Sequence, residues 1–276
     1  MSYLNAALRL VFDLLLAPFA GGPPLLSLSL VALLVSILML VVFKKTSNQE
    51  ALAVVKRKIH AGIFEIRLFN DDLRAILRAQ NEILRTNLTY LRLNLWPMLF
   101  LMPPLVLVIA QLEFHYGYQG FRPGQRALLT VDLAPEAASG TRPRATLELP
   151  SGLRAETEAV WIKAESQLLW RLVAERDGDY ELGLAIDGAP RITKTVRVTS
   201  RTVRLSPERV DSGFLSQLLY PAEPPLPKDG PVRAVRLSYP AREVSVLGHG
   251  MHWMIPFFAL SIAFAFALRG VFKVTI

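Results

Sequence analysis

Three long apolar runs dominate the pattern of hydrophobic and polar positions along the chain. Residues 25–43 and 95–112 contain no charged side chain, and residues 252–269 contain one cation, Arg269, at their end. Residues 25–43 would form a helix of roughly 28 Å at about 1.5 Å per residue, which matches the thickness of a hydrocarbon core. We therefore predict three transmembrane helices over these ranges.

The second apolar run contains three prolines, Pro97, Pro103 and Pro104. Proline interrupts helices in water, but a membrane helix tolerates it where neighbouring groups satisfy the freed carbonyls. We predict that residues 95–112 form a kinked transmembrane helix.

Residues 46–93, between the first two runs, have apolar side chains at helical spacing. Asn70 lies between two apolar stripes and is a typical N-cap for the second helix. The stripes consist of Val55, Ile59, Ile63, Ile66 and Phe69, and of Leu73, Leu77, Leu84, Leu88 and Leu91. The pattern predicts an antiparallel helical hairpin whose second helix continues into the second transmembrane helix. Such a hairpin either binds a partner or is a coiled coil that only spaces the transmembrane helices.

Residues 120–240 contain short runs in which apolar and polar side chains alternate, as is typical of strands. These runs cover residues 127–133, 145–149, 159–162, 168–174, 180–186 and 193–198. Asp177-Gly178 and Asp187-Gly188 are turn dipeptides between them. The pattern predicts an antiparallel, immunoglobulin-like β-sandwich with Trp161 and Trp170 in its core.

The last part of this region has a different pattern. We expect one or two helical turns over residues 212–219 and a final strand over residues 232–237. Five prolines between positions 221 and 231 predict a stiff extended tether between them.

Residues 1–20 combine one polar helical face with an apolar remainder. Asn5, Arg9 and Asp13 are four residues apart and share that face. A signal peptide keeps its apolar region free of charge, which Asp13 contradicts. We predict an amphipathic helix in the membrane interface, and the alternative is a cleaved or disordered leader.

Composition supports a membrane protein and excludes several other classes. The chain has 276 residues, of which 52% are hydrophobic, and it has no cysteine. A disulfide scaffold and a thiolate metal site are therefore excluded, and a purely soluble cytosolic protein is not expected.

The distribution of charge predicts the orientation in the membrane. Residues 44–93 contain ten basic and five acidic side chains, whereas residues 113–250 contain 18 basic and 17 acidic ones. Loops rich in Lys and Arg stay in the cytoplasm. We therefore expect the hairpin and the C-terminus in the cytoplasm, and the N-terminus and the β-domain outside it, in a bacterial inner membrane. This topology explains the net charge of +8 without direct binding of nucleic acid.

The chain lacks the motifs of the common catalytic sites. It has no Gly-rich phosphate loop, nucleophile elbow or His-Glu-x-x-His sequence. His249 and His252 have a spacing that can chelate a metal, but no third ligand is near in sequence. We interpret them as polar residues of the membrane interface and expect no enzyme activity, cofactor or metal.

The order of these elements resembles the YidC/Oxa/Alb insertase superfamily. An amphipathic helix, a span, a basic helical hairpin, a proline-containing span, a variable segment and a last span follow one another. The resemblance covers residues 1–112 and 250–276 and is one of architecture, without a diagnostic motif. The smaller relatives in this superfamily have a three-span core, and they include archaeal proteins and a subunit of the ER membrane complex. YidC-type members have an arginine on the first core span, whereas residues 25–43 contain no basic residue.

The resemblance implies a polar groove that eases the entry of polar client segments into the bilayer. The candidate groove residues are Ser27, Ser29, Ser36, Asn94, Gln111 and Ser261; alternatively, they form hydrogen bonds between helices. The candidate contacts with anionic lipid or with a ribosome are Lys44, Lys45, Lys56, Arg57 and Lys58.

Two functions remain open on the sequence. The first is a YidC-like membrane protein insertase or intramembrane chaperone, whose partners are the bilayer, nascent client proteins and a ribosome. The second is a structural or adaptor subunit of a cell-envelope complex, which binds partners through the β-domain and the hairpin.

Overall fold

A computed structural model describes residues 2–69, 71–134, 137, 142–187, 189–228 and 230–275. The chain divides into two compact units. The first unit comprises Met1–Ser27 and Leu107–Pro256, and the second comprises Leu28–Val106 and Phe257–Ile276. The predicted turn at Gly188 and the predicted N-cap at Asn70 lie outside the described residues.

The described helices and strands have the following bounds. The helices are α1 (Ser2–Leu16), α2 (Pro24–Thr46), α3 (Gln49–Leu68), α4 (Leu73–Leu112), α5 (Phe214–Leu219) and α6 (Met254–Phe272). The strands are β1 (Arg126–Leu133), β2 (Ala145–Glu148), β3 (Leu153–Ala155), β4 (Val160–Ile162), β5 (Gln167–Ala174), β6 (Gly178–Ile186), β7 (Ile192–Val198), β8 (Glu208–Val210), β9 (Val232–Leu237), β10 (Val244–Val246) and β11 (His249–Met251).

Three of the described helices, α2, α4 and α6, are long and apolar enough to cross a membrane, as the sequence predicts. Helix α4 has 40 residues and includes all three prolines of the second apolar run. At about 1.5 Å per residue it is roughly 60 Å long. The second helix of the hairpin and the second apolar run are therefore one continuous element.

Polar side chains cap the two helices of the hairpin. The Asn48 side chain accepts a hydrogen bond from the Ala51 amide at 3.0 Å, at the start of α3. The Asp72 carboxylate accepts one from the Arg74 amide at 2.9 Å, at the start of α4. An aspartate in this position satisfies a free amide and also interacts favourably with the helix dipole.

The β-domain consists of antiparallel sheets, as the alternating pattern predicts. One sheet has the strand order β3-β5-β1-β9-β8, with β4 also paired to β5, and another has the order β2-β6-β7. Strands β10 and β11 form a separate hairpin. Each of the six strands expected before residue 200 is present, with ends within two residues of those predicted.

The two larger sheets share one hydrophobic core. It contains inward side chains of both sheets, among them Leu129 of β1, Leu172 of β5 and Leu184 of β6. Trp170 is buried in this core, and Trp161 is partly buried against it. Both tryptophans therefore have the packing role that the sequence predicts.

A charged pair is buried within the β-domain. Lys194 on β7 is at an inward position, and its ammonium donates to the carbonyl and hydroxyl oxygens of Ser206 and to Glu223. Glu223 also accepts from the Thr195 amide at 2.8 Å and from the Ser206 hydroxyl at 2.6 Å. Burial alone would raise the pKa of Glu223, but the charge of Lys194 and these donors together lower it.

Helix α1 binds to the β-domain through its polar face. Asp13 accepts a hydrogen bond from the buried Arg204 at 2.6 Å and lies 3.2 Å from His115. Burial alone would raise the pKa of Asp13, but the hydrogen bond with His115 and the charge of Arg204 lower it. The polar face that the sequence predicts is therefore a protein contact within the first unit.

Candidate functional site

A polar cleft lies between α3 and α4 in the second unit. The two helices approach closely at Gly62, where an added Cβ would lie 2.6 Å from Cγ1 of Ile83. Ala79 of α4, four residues before Ile83, is buried, and Leu52 of α3 is buried as well. The cleft has a volume of about 430 Å³ and is lined by Val55, Lys58, Arg78, Asn81, Glu82, Arg85, Thr86 and Thr89.

The cleft is positively charged. Its lining has three cations, Lys58, Arg78 and Arg85, and one anion, Glu82. Within the described part of the chain none of these cations forms an ion pair. The lining is thus suited to an anionic group supplied from outside the chain.

A second cleft continues the first along α4. It has a volume of about 480 Å³ and shares Thr89 with the first cleft. Its other lining residues are Thr46, Asn48, Arg92, Leu93 and Trp96. Arg78, Arg85 and Arg92 are seven residues apart and therefore lie on one side of α4. Together with Lys58 they form a cationic track, in which Arg78 and Arg92 are roughly 21 Å apart along α4.

An apolar stripe runs along α4 beside the cationic track. Its side chains fall within an arc of about 80° at 100° per residue. It consists of Leu73, Leu77, Leu84, Leu88, Leu91, Leu95, Met98 and Met102, each of which is 50–68% exposed. The leucines predicted from the sequence as one of the two apolar stripes of the hairpin are therefore not buried against α3. Gly62 of α3, together with Ile83 and Ala79 of α4, is at the contact instead.

The candidate groove residues occupy different positions. Ser36 of α2 is buried, and its hydroxyl donates to the Ser261 carbonyl of α6 at 2.9 Å. Asn94 donates to the Tyr90 carbonyl one turn earlier in α4. Ser29 is half-buried. None of these three side chains lines either cleft.

Two other candidate groove residues lie in the first unit. The Ser27 hydroxyl accepts a hydrogen bond from the Tyr116 hydroxyl at 2.7 Å. Gln111 is buried, and its carbonyl oxygen lies 3.0 Å from Nδ1 of His115. The contacts of Ser27 and Ser36 are of the kind expected for hydrogen bonds between segments, and the groove role of all six residues stays a prediction.

The five basic residues predicted to contact lipid or a ribosome are only partly brought together. Lys44 and Lys45 are exposed in the last turn of α2. Arg57 and Lys58 are exposed on α3, but only Lys58 lines the cleft. The arginines of the cationic track were not among the predicted site residues, although their seven-residue repeat is visible in the sequence.

Metal binding finds no support in the described residues. No group of three His, Asp or Glu side chains within the described ranges has the arrangement of a metal site. The clefts instead offer guanidinium, ammonium, hydroxyl and amide groups, which bind anions and polar peptide groups.

Comparisons of the chain with known protein families, with curated proteins and with solved structures found no match.

Proposed function

We propose that the chain is a membrane protein insertase or intramembrane chaperone of the YidC-like type. The order of α2, α3, α4 and α6 supports this proposal, since a helical hairpin lies between the first two candidate spans. In the proposed topology the hairpin is in the cytoplasm, and the β-domain, with an immunoglobulin-like architecture, is on the opposite side of a bacterial inner membrane.

The observation on which the proposal rests is the pairing of the cationic track with the apolar stripe on α4. The exposed stripe extends from the hairpin part of α4 to Met102 within the apolar run, with one exposed polar side chain, Gln80, between Leu77 and Leu84. A client helix on this surface would keep its apolar side covered while it moves from water towards lipid. The neighbouring arginines would bind its acidic or polar flanks.

Such a surface would lower the free-energy cost of moving polar client groups into the membrane. A charged side chain costs about 2.5–3.5 kcal/mol at the centre of a helix on insertion scales. A polar track next to an apolar one lowers this barrier, because polar groups of the client exchange water for protein partners. The chain needs no cofactor for this activity, and its partners would be the bilayer, client segments and a ribosome.

The test is an insertion assay with the full chain in lipid vesicles. The client is a short membrane protein with an acidic flank, and the readout is its protection from added protease. We expect the double variant Arg78→Glu, Arg85→Glu to insert the client about tenfold less, which corresponds to roughly 1.4 kcal/mol of lost interaction. Reversal of charge replaces attraction of the acidic flank by repulsion.

The matched control is Arg67→Glu, which reverses a charge of the same kind at an exposed position of α3 that lines neither cleft. This variant is expected to insert the client as the unchanged chain does. If vesicles with the unchanged chain inserted no more client than empty vesicles, the insertase proposal would be wrong. Equal losses in both variants would reject the track as the site.

The second candidate function is an adaptor subunit of a cell-envelope complex. It is favoured by the size of the β-domain, whose two sheets have their own core. Purification in mild detergent distinguishes the two functions. A fixed partner in equal amounts favours the adaptor, whereas substoichiometric nascent chains or ribosomes favour the insertase.

A further inference from the structure

The short helix α5 exposes an apolar face on the β-domain. Phe214, Leu215 and Leu219 are 64%, 67% and 57% exposed. On the same helix Gln217 is buried, and its side chain donates to the Asp211 carbonyl at 2.9 Å. Exposed clusters of large apolar side chains mark surfaces that bind a membrane or another protein.

Helix α5 is held next to α1. The Asn5 side chain donates to the Gln217 carbonyl at 2.6 Å, and the Arg9 guanidinium donates to the Pro221 carbonyl at 3.0 Å. Both bonds come from the polar face of α1. The two helices therefore join through polar groups, and several large apolar side chains of each helix stay exposed.

Outside its polar face, α1 exposes several large apolar side chains, whereas Phe12 and Leu16 are buried. Tyr3, Leu10 and Leu14 are 91%, 70% and 75% exposed, and Leu4 and Val11 are exposed as well. Within the first unit, α1 and α5 thus present eight large apolar side chains to their surroundings.

Connectivity indicates what covers these side chains. The first turn of α2, the last turn of α4 and the first residues of α6 belong to the same compact unit as α1. The link from α1 to α2 is fixed to the β-domain by the Thr202 amide, which donates to the Ala20 carbonyl at 2.9 Å.

Asp13 of α1 is 3.2 Å from His115, three residues beyond α4. Helix α1 therefore lies beside the end of a candidate span, at the level of the bilayer interface.

We propose that α5 is a second interfacial anchor, whose Phe214, Leu215 and Leu219 enter the boundary between headgroups and acyl chains next to α1. This surface binds lipid on the side of the membrane where the β-domain lies. Its consequence is that the β-domain rests on the bilayer at two helices and does not rotate freely. This inference does not depend on the proposed insertase function.

The test uses single cysteines, for which the chain is suited because it has none of its own. The full chain with Leu215→Cys is labelled with an environment-sensitive fluorophore and placed in vesicles of phosphatidylcholine and phosphatidylglycerol. We expect blue-shifted emission, strong loss of fluorescence with lipids that have a nitroxide near the headgroup, and little loss with iodide in water.

The matched control is Val160→Cys, an apolar side chain that is 52% exposed on β4 of the same unit. Its label is expected to respond to iodide and not to the nitroxide lipid. A Leu219→Cys variant repeats the measurement at a second position of α5, so that a local folding defect at one position does not decide the result.

Two outcomes would overturn the proposal. In the first, the labels at 215 and 219 respond to iodide as the label at 160 does, which means that α5 faces water. In the second, they are shielded from both quenchers, which means that a protein partner or a second copy of the chain covers the helix.

Discussion

At the scale of single residues, the Lys194–Glu223 pair is a charged pair buried within the β-domain. Lys194 occupies an inward position of β7, where its neighbours Ile192 and Val196 are buried apolar side chains. A charge at such a position is tolerated only when its partners replace water completely. The alternation of β7 marks Lys194 as inward, but no local pattern identifies Glu223, which is 29 residues away.

Breaking this pair should destabilise the β-domain, and the costs of the two single variants should not add. We expect Lys194→Met and Glu223→Gln each to destabilise the β-domain by about 3–5 kcal/mol, since each leaves the other group without its partner. The double variant should cost less than the sum, with a coupling of about 2 kcal/mol. The measurement is hydrogen exchange of the β7 amides in the full chain, which reports the local free energy of opening. Additive losses would show that the two side chains do not interact.

The stability contributed by Glu223 should also depend on pH. Its pKa is lowered in the folded chain, so the stabilisation is present above the usual glutamate value of about 4.3 and is lost as the pH falls through the lowered value. The difference in unfolding free energy between the unchanged chain and Glu223→Gln is therefore expected to be full at pH 7 and to shrink in acid. Unfolding curves of both proteins in detergent at several pH values measure it, and a constant difference would contradict this assignment.

At the scale of elements, the sequence predicts those features that depend on residues close together in the chain. The strands of the β-domain are predictable because alternation is a local property of each run, and even the final strand β9 has the expected bounds. The three apolar helices are predictable for the same reason. The short strands β3 and β8 have too few residues to alternate visibly.

The faces that helices use for packing were harder to predict. Large apolar side chains give the strongest periodic signal, so the leucines of α4 suggest a stripe that pairs with α3. The contact instead places Gly62 of α3 against Ile83 and Ala79 of α4, because a glycine permits the close approach of two helices. Likewise, the polar face of α1 is evident from its spacing, but its partner Arg204 is 191 residues away. Long-range partners of this kind leave no trace in the local pattern.

At the scale of the whole molecule, the proposed function depends on which side of the membrane the hairpin and the β-domain face. The segment from 44 to 93 has five more basic than acidic side chains, whereas residues 113–250 have one more. Short basic loops are retained in the cytoplasm, while long domains are translocated largely regardless of charge. The proposed function needs this arrangement, because the cationic track and the apolar stripe must be accessible to newly made chains.

Labelling of single cysteines in intact cells should reveal this orientation directly. Arg57 is exposed on α3, and Ala164 is exposed in the short helical turn Lys163–Glu165 of the β-domain. We expect a membrane-impermeant maleimide to modify Ala164→Cys and to spare Arg57→Cys until the membrane is permeabilised. Since neither side chain is buried, the difference would report accessibility across the membrane. The opposite result would place the hairpin outside the cell, where no nascent chain reaches its cationic track, and the insertase proposal would be rejected while the two folded units remained as described.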